Sequence, residues 1–159
     1  MRFPHPMLAA LAAALLLPAC GAGPTAPTAA TASAPQEAIV RAGDATIRAS
    51  AMQTSTLGAE VAGQYAISRD AGTVMLLVAV RKGPDGAEVA VPARVTATAT
   101  DLRGRRQDVA MRELRVGDLV DYVGTVQTTL PDTLRFDVTI VPEGGASSSM
   151  QFTREFFPQ

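Results

Sequence analysis

Residues 119 to 141 carry the most regular pattern in the chain, and this pattern restricts the fold more than any other feature. In its second half, apolar and polar residues alternate without a break; the apolar ones are Leu134, Phe136, Val138 and Ile140. A period of two predicts a strand with one buried and one solvated face. The first half places Val120, Tyr122 and Val126 on one face. The short break at residues 128–132 predicts an antiparallel hairpin between the two halves.

Other segments repeat this strand pattern. Apolar and polar residues alternate over residues 45–52 and 91–100, and residues 107–114 read as one strand with Val109 and Met111 inward. The run VMLLVAV at residues 74–80 is apolar throughout, which is typical of a central strand covered on both faces. The C-terminal segment offers Met150, Phe152 and Phe156 to close the core.

One segment has a helical period instead. Leu57, Val61 and Tyr65 are spaced by four, which places them on one face of a short helix that we expect to cover an open end of the sheet. The sequence therefore predicts an all-β fold, an antiparallel immunoglobulin-like β-sandwich of about seven or eight strands with one short helix. The chain has no Trp and a single Cys, so the likeness to immunoglobulins is one of architecture only.

The N-terminal segment has the features of an export signal. Arg2 precedes an apolar run, residues 7–17, that is too short to span a bilayer as a helix. The run ends in Leu17-Pro18-Ala19-Cys20, which resembles the bacterial lipoprotein signal, in which the Cys receives the lipid. That resemblance implies a signal peptide over residues 1–19 and lipidation of Cys20. Because Gly21 is not the Asp associated with retention in the inner membrane, it also implies the outer membrane, facing the periplasm.

Residues 20–36 form an Ala-, Thr- and Pro-rich segment without charge or large apolar residues. Such a segment buries too little surface to offset its conformational entropy, so we expect a flexible tether. The folded domain is then predicted to span residues 37–159, which is long enough to build a hydrophobic core.

The inventory of reactive side chains excludes several kinds of chemistry. The single His, His5, lies in the predicted signal, and the single Cys is the predicted lipidation site. Nucleophilic catalysis by a Ser–His or Cys–His pair is therefore not expected, and a zinc or Cu(II) site lacks its usual ligands. We predict no catalytic residue, no metal site and no cofactor. The net charge of −1 gives no general attraction to nucleic acid.

Arginines are concentrated in one stretch, which also contains Asp108 and Glu113. They are Arg103, Arg105, Arg106, Arg112 and Arg115. Guanidinium groups bind carboxylates and phosphates with forked hydrogen bonds, so these five residues are candidates for binding a partner. The alternative is a solvated hairpin whose charges protect a sheet edge from aggregation.

Several phrases of the sequence together resemble one protein family. The phrases are AISR at residues 66–69, VAVRKG at residues 78–83, ARVTATAT at residues 93–100, RELRVGD at residues 112–118, LRFDV at residues 134–138 and FTREFF at residues 152–157. They resemble a family of small exported bacterial proteins described as a domain of unknown function, DUF4426. The resemblance implies an exported, β-rich domain and supplies no catalytic residues. The chain departs from the family pattern at Ala51 and Gly58, where we expect Asn and Pro.

These features predict a non-enzymatic, lipid-anchored periplasmic module of the bacterial cell envelope that binds or assists another envelope protein. The expected contacts are the membrane, through Cys20, and a protein partner, with no nucleic acid. The alternative is a carrier or sensor of a small ligand or metal ion that uses the end of the sandwich covered by residues 57–65. An aromatic lining would distinguish this alternative.

Overall fold

The structure is a computed structural model that describes residues 37–159. These residues form ten strands, one 3₁₀ turn and one short helix. The strands are β1 Ala38–Ala42, β2 Ala45–Gln53, β3 Thr73–Lys82, β4 Val89–Ala90, β5 Ala93–Thr100, β6 Arg106–Val109, β7 Arg112–Val116, β8 Leu119–Gln127, β9 Asp132–Pro142 and β10 Ser148–Phe156. The 3₁₀ turn is Thr54–Thr56 and the helix, α1, is Ala59–Gln64. Within the described part of the chain, no helix has the length and apolar character to cross a bilayer.

The strands form two antiparallel sheets that pack face to face. The first sheet has the order β1-β2-β3-β8-β7, and β4 pairs with the end of β3; the second has the order β10-β9-β5-β6. All pairings are antiparallel. The predicted all-β sandwich is thus confirmed, with ten strands rather than the seven or eight expected.

The core lies between the two sheets and is made by the alternating residues. Ile47, Leu76, Leu134, Phe136 and Ile140 are completely buried. The rings of Phe136 and Phe152, on neighbouring strands, stack with 5.2 Å between their centroids. Alternation therefore identified the inward faces of β2, β5, β9 and β10 correctly, because each strand here has one face on the core and one in solvent.

The predicted hairpin over residues 119–141 is wrong. Although β8 and β9 follow each other in the sequence, β8 pairs with β3 and β7 whereas β9 pairs with β5 and β10. Residues 128–131 carry the chain from one sheet to the other. Alternation does not distinguish the two arrangements, since strands that face each other across a core bury the same residues as strands that lie side by side.

The predicted strand over residues 107–114 is two strands in different sheets. β6 pairs with β5 in the second sheet, and β7 pairs with β8 in the first. The chain crosses between them at Ala110 and Met111, directly over Gly124 of β8. A Cβ added to Gly124 would lie 2.6 Å from Val109 Cγ1 and 3.0 Å from the Ala110 carbonyl oxygen. The crossing therefore depends on the missing side chain of Gly124.

The short helix exists but presents a different face from the one predicted. Val61 is 40% exposed, and the residue of α1 that is buried is Ala62. Leu57 and Tyr65 do pack on the outer face of the first sheet, where Ile67 joins them over Met75. Ile67, which follows the helix in the sequence, is buried against Met75, whereas Val61 faces solvent. Met75 of β3 is nevertheless covered, so the prediction of a strand buried on both faces is confirmed there.

Candidate functional site

A groove opens on the second sheet where β6 leaves β5. β6 pairs with residues 97–100 of β5 and then crosses to the other sheet, so none of the ten described strands lies beside residues 93–96 on that side. The groove at this position has a volume of about 440 Å³, within the range of ligand-binding clefts. Its lining combines apolar and polar side chains, among them Val95, Val109, Met111, Thr98, Arg106 and Asp108. We refer to it as the β5 groove.

Main-chain groups of Val95 face this groove. The carbonyl of Pro92 accepts a 2.7 Å hydrogen bond from Glu143 N–H on the β9 side. Because successive residues of a strand direct these groups to opposite sides, the N–H and C=O of Val95 face away from β9. The same alternation explains why Ala93 N–H donates to Tyr122 Oη at 2.6 Å. Within residues 37–159, no hydrogen bond from the crossing segment reaches Val95.

One polar side chain in the groove also lacks a partner. The Thr98 hydroxyl oxygen is buried, and it neither accepts nor donates a hydrogen bond among the described residues. Buried polar atoms are almost always paired, and an unpaired one costs free energy. Thr98 therefore adds a second unsatisfied group to a groove that already contains an open strand edge.

Arg105, one of the predicted binding residues, is committed to the fold. Its Nε donates to Asp101 Oδ2 at 3.0 Å, and the main-chain N–H groups of Arg103 and Arg105 donate to Asp101 Oδ1. The Asp101 side chain is 2% exposed. The Arg105 N–H, together with the Arg103 N–H and the Arg105 guanidinium, holds the pKa of Asp101 below its ordinary value of 3.8 despite the opposing effect of burial. These contacts fix the turn between β5 and β6.

Two other arginines lie in the first sheet, away from that turn. Arg112 donates from Nη2 to the carbonyl of Tyr65, at the C-terminal end of α1, and so ties β7 to the helix. Arg115 pairs with Glu113 on the same strand. The stretch from Arg103 to Arg115 is therefore not one hairpin, because its C-terminal part has crossed to the other sheet.

The remaining two arginines are available for binding. Within residues 37–159, the side chains of Arg103 and Arg106 form no ion pair. Arg106 lines the β5 groove, with Asp108 two residues along the same strand. The candidate site thus contains Arg106 from the predicted set. It also contains Val95, Thr98, Asp108 and Met111, which are not among the residues that the sequence predicts for binding.

A signal for this site was present in the sequence. In the predicted strand over residues 107–114, Val109 and Met111 continue the inward phase, but the next position in that phase is Glu113. A charged residue where an apolar one is due indicates that the strand has ended or changed sheets. Such a change leaves the partner strand partly uncovered, and this is how the β5 groove arises.

The helix packs on the outer face of the first sheet rather than over an open end of the sandwich, and the space beside it is smaller. The pocket there has a volume of about 150 Å³ and is lined by residues such as Ile67, Thr73, Arg112 and Val123, with no aromatic side chain. The aromatic residue Tyr122 of β8 is instead buried in the core between the sheets. The feature expected of the small-ligand alternative is therefore not found in this pocket.

Three acidic residues of β8 and β9 are engaged in structural contacts. Asp121 pairs with Arg81, Asp137 with Arg135, and Asp132 accepts from the hydroxyl of Thr128. No cluster of three or more Asp, Glu, His or Cys side chains occurs in residues 37–159. Cys20, predicted to carry the lipid, and the predicted signal and tether lie outside the described residues.

The fold and sequence were compared with known proteins. No curated protein matches the chain significantly. Among solved structures, a DUF4426 family protein of Pseudomonas aeruginosa PAO1 superposes with a TM-score of 0.65 and 23% identity, over 77% of this chain and 96% of that one. FetP of uropathogenic Escherichia coli strain F11 superposes with a TM-score of 0.57 and 12% identity, over 79% and 97% of the two chains. A copper-bound variant of FetP gives a TM-score of 0.56. At these identities the likeness is one of fold.

The sequence itself provides the family assignment. The profile of the domain of unknown function DUF4426 matches residues 39–159, which is nearly the whole of the described domain. This match agrees with the resemblance seen in the phrases at residues 66–69, 93–100 and 134–138. The chain therefore belongs to the DUF4426 family.

Proposed function

We propose that this protein is a non-enzymatic, lipid-anchored module of the bacterial cell envelope that binds another envelope protein through the β5 groove. The observation that carries the proposal is the combination, in one groove, of an open strand edge, an unpartnered hydroxyl and the unpaired guanidinium of Arg106. A protein partner supplies main-chain, polar and charged groups together, which match this set of unsatisfied groups.

Absence of catalysis is part of this proposal. The described domain contains no His and no Cys, and the carboxylates of Asp121, Asp132 and Asp137 are bound to arginine or hydroxyl groups. A general acid or base needs a carboxyl group kept free in an unusual environment. We therefore assign the domain a binding role.

The proposed location is the outer membrane, facing the periplasm. It rests on the lipoprotein-type sequence before Cys20 and on membership of a family with exported, β-rich character. FetP, which shares the fold at low identity, was recombinantly expressed in the periplasm of Escherichia coli. Export and lipidation are tested by changing Cys20 to Ala, which is expected to block processing and to release the protein from the membrane fraction. Unchanged processing and fractionation would contradict the anchor.

Binding through Arg106 is tested with a matched pair of variants. Arg106→Ser removes the unpaired charge of the groove, and Arg41→Ser removes an exposed charge on β1, in the other sheet. In cells that contain the anchored protein, chemical crosslinking followed by purification should recover the same partner with the parent and with Arg41→Ser. Recovery should fall in Arg106→Ser and at raised salt. Equal recovery from both variants would remove Arg106 from the interface.

One contact raises the question of copper binding. Met52 and Met75 are directly opposite each other on β2 and β3, and thioethers are ligands for Cu(I). The pair packs in an apolar cluster with Leu57, Ile67 and Leu77, and residues 37–159 contain no group of three or more His, Cys, Asp or Glu side chains that could hold a metal ion. The residues present therefore do not fit a copper site, although a FetP variant binds copper. Titration with Cu(I) against the chelator bicinchoninate should show no protein-bound copper; stoichiometric binding lost in Met75→Leu would reverse this conclusion.

A further inference from the structure

We infer that the partner enters the β5 groove as an extended polypeptide segment that adds a strand to the second sheet beside Val95. This inference rests on the proposed binding function and specifies the chemistry of the partner. Strand addition satisfies the main-chain groups of an open edge by hydrogen bonds, and neighbouring pockets select the side chains. The following observations carry it.

The first observation is the direction of the free groups. The N–H and C=O of Val95 both point to the side that β6 leaves vacant, which is the arrangement that an antiparallel partner residue pairs with through two hydrogen bonds. The main-chain N–H and C=O groups of Arg94 and Thr96 point to β9, with which these residues pair. A small molecule or ion has no need of a donor and an acceptor at this spacing, whereas an extended chain supplies both.

The second observation is the lack of protection at this edge. Native sheets shield exposed edges with charges, and β7, the edge strand of the other sheet, carries Arg112, Glu113 and Arg115. In the open part of β5, residues 93–96, the Val95 side chain is buried, Thr96 is exposed, and Arg94 is the single charged residue. An edge with so little charge beside a groove suits pairing with another chain.

The third observation defines the side chains of the segment. Val109 and Met111 form an apolar wall, and Met111 is only partly buried. Arg106 provides a positive charge that forms no ion pair within residues 37–159, in a groove that Asp108 and Asp137 also line. The expected segment therefore places an apolar residue against Met111 and a carboxylate within reach of Arg106, and the Thr98 hydroxyl is free to bond a polar side chain.

The chain's own tether and a second copy are the other possible occupants. The tether joins the domain at Glu37, before β1, and β1 is the edge strand of the first sheet on the side away from β7 and β8. Its sequence has no charged residue to meet Arg106 and three prolines, which cannot donate to a ladder. A partner segment with a carboxylate fits the groove better.

Hydrogen exchange provides the first test, using the mature chain with Cys20→Ser. In the free protein, the Val95 amide should exchange faster than those of Arg94 and Thr96 by about tenfold or more, the factor that corresponds to ~1.4 kcal/mol. Deleting residues 21–36 should leave this difference unchanged. If the deletion exposes a protected Val95 amide, the tether is the occupant; if protection rises with protein concentration, a second copy is. Either result would overturn the partner segment.

Selection from a phage-displayed library of random linear peptides provides the second test. Selected peptides should contain an acidic residue, protect the Val95 amide, and lose binding when alternate peptide nitrogens are methylated, since only every second residue pairs with β5. The Cys20→Ser chain contains no cysteine. Adding Thr96→Cys or Thr153→Cys therefore allows one bulky maleimide to be attached at a single chosen site. Both sites are exposed, but only Thr96 lines the groove. Labelling at position 96 should weaken peptide binding by about tenfold or more, and labelling at position 153 should not.

Three results would overturn strand addition: no selected peptide, binding that tolerates methylation at every position, or equal binding after labelling at either site. These failures differ from failure of the binding function itself. Crosslinked recovery of an envelope partner that depends on Arg106 would still support a binding module that uses a folded surface. If partner recovery did not depend on Arg106 but selected peptides still protected the Val95 amide, strand addition would stand and Arg106 would not be part of the recognition.

Discussion

Phe136 and Phe152 occupy directly paired positions on β9 and β10, and their rings stack with 24° between the planes. Phe136 is fully buried in the core, so its side chain contributes both to the pairing of β9 with β10 and to the packing between the sheets. Phe136→Ala should lower the free energy of unfolding by about 3–5 kcal/mol, because it leaves a cavity in close-packed surroundings. Chemical denaturation measures this change, and a variant as stable as the parent would show that the core is not centred there.

Gly124 should tolerate no side chain, because the crossing segment passes directly over it. Gly124→Ala should destabilise the domain by about 1–3 kcal/mol, the range for overpacked positions. Gly63→Ala is the matched control, since a Cβ at Gly63 meets no atom within 4 Å and Ala favours the helix. Denaturation of both variants should separate them, with Gly63→Ala equal to the parent or more stable. The reverse order would mean that the chain does not cross over Gly124.

Arg81, which does not line the β5 groove, should be important for stability. Its guanidinium is largely buried and donates to the carbonyl of Val120 at 2.9 Å and to Asp121. Arg81→Met should cost about 1–3 kcal/mol of unfolding free energy, because it leaves these acceptors without their donor. In a double-mutant cycle with Asp121→Asn, the double variant should lose less than the sum of the single variants. Strict additivity would show that the two residues do not interact.

Asp101 makes the stability depend on pH in one direction. Since its pKa in the folded state is below the ordinary 3.8, its contribution is present in full above that value. It is lost as the pH falls through the lowered folded-state pKa. Asp101→Asn should therefore be less stable than the parent at neutral pH, and the difference should shrink in acid below 3.8. Urea denaturation at a series of pH values measures this difference.

The control for Asp101 is Asp44→Asn. The pKa of Asp44 is also lowered, mainly by a hydrogen bond from Lys82, but both side chains are more than half exposed. An exposed pair contributes little to stability, so Asp44→Asn should match the parent throughout. An Asp101 variant that behaves like the Asp44 variant would show that the turn between β5 and β6 does not depend on the carboxylate.

The inward faces of the strands were predictable because burial of one face imposes a period of two on the sequence. Phe136, Phe152 and Ile47 are buried as alternation indicates. The pairing of the strands was less predictable, since the same pattern serves strands beside each other and strands across a core. For this reason β8 and β9 were assigned to a hairpin that does not exist.

The candidate site was only partly predictable. Charge density along the sequence identified Arg106, but it grouped that residue with Arg105 and Arg112, whose side chains the fold uses for its own turn and helix. The free edge at Val95 depends on where a neighbouring strand stops, and this is set by contacts between residues far apart in sequence. Local composition carries no direct record of such a contact.

The route of the chain between the two sheets determines where the sheets are expected to separate locally. All three crossings, from β4 to β5, from β6 to β7 and from β8 to β9, join the sheets without involving β1 or β10. The edge formed by β1 and β10 has no such covalent link. We therefore expect the two sheets to separate first along β1 and β10, the edge without a connecting segment. This local opening should cost little free energy and should leave the β5 groove intact.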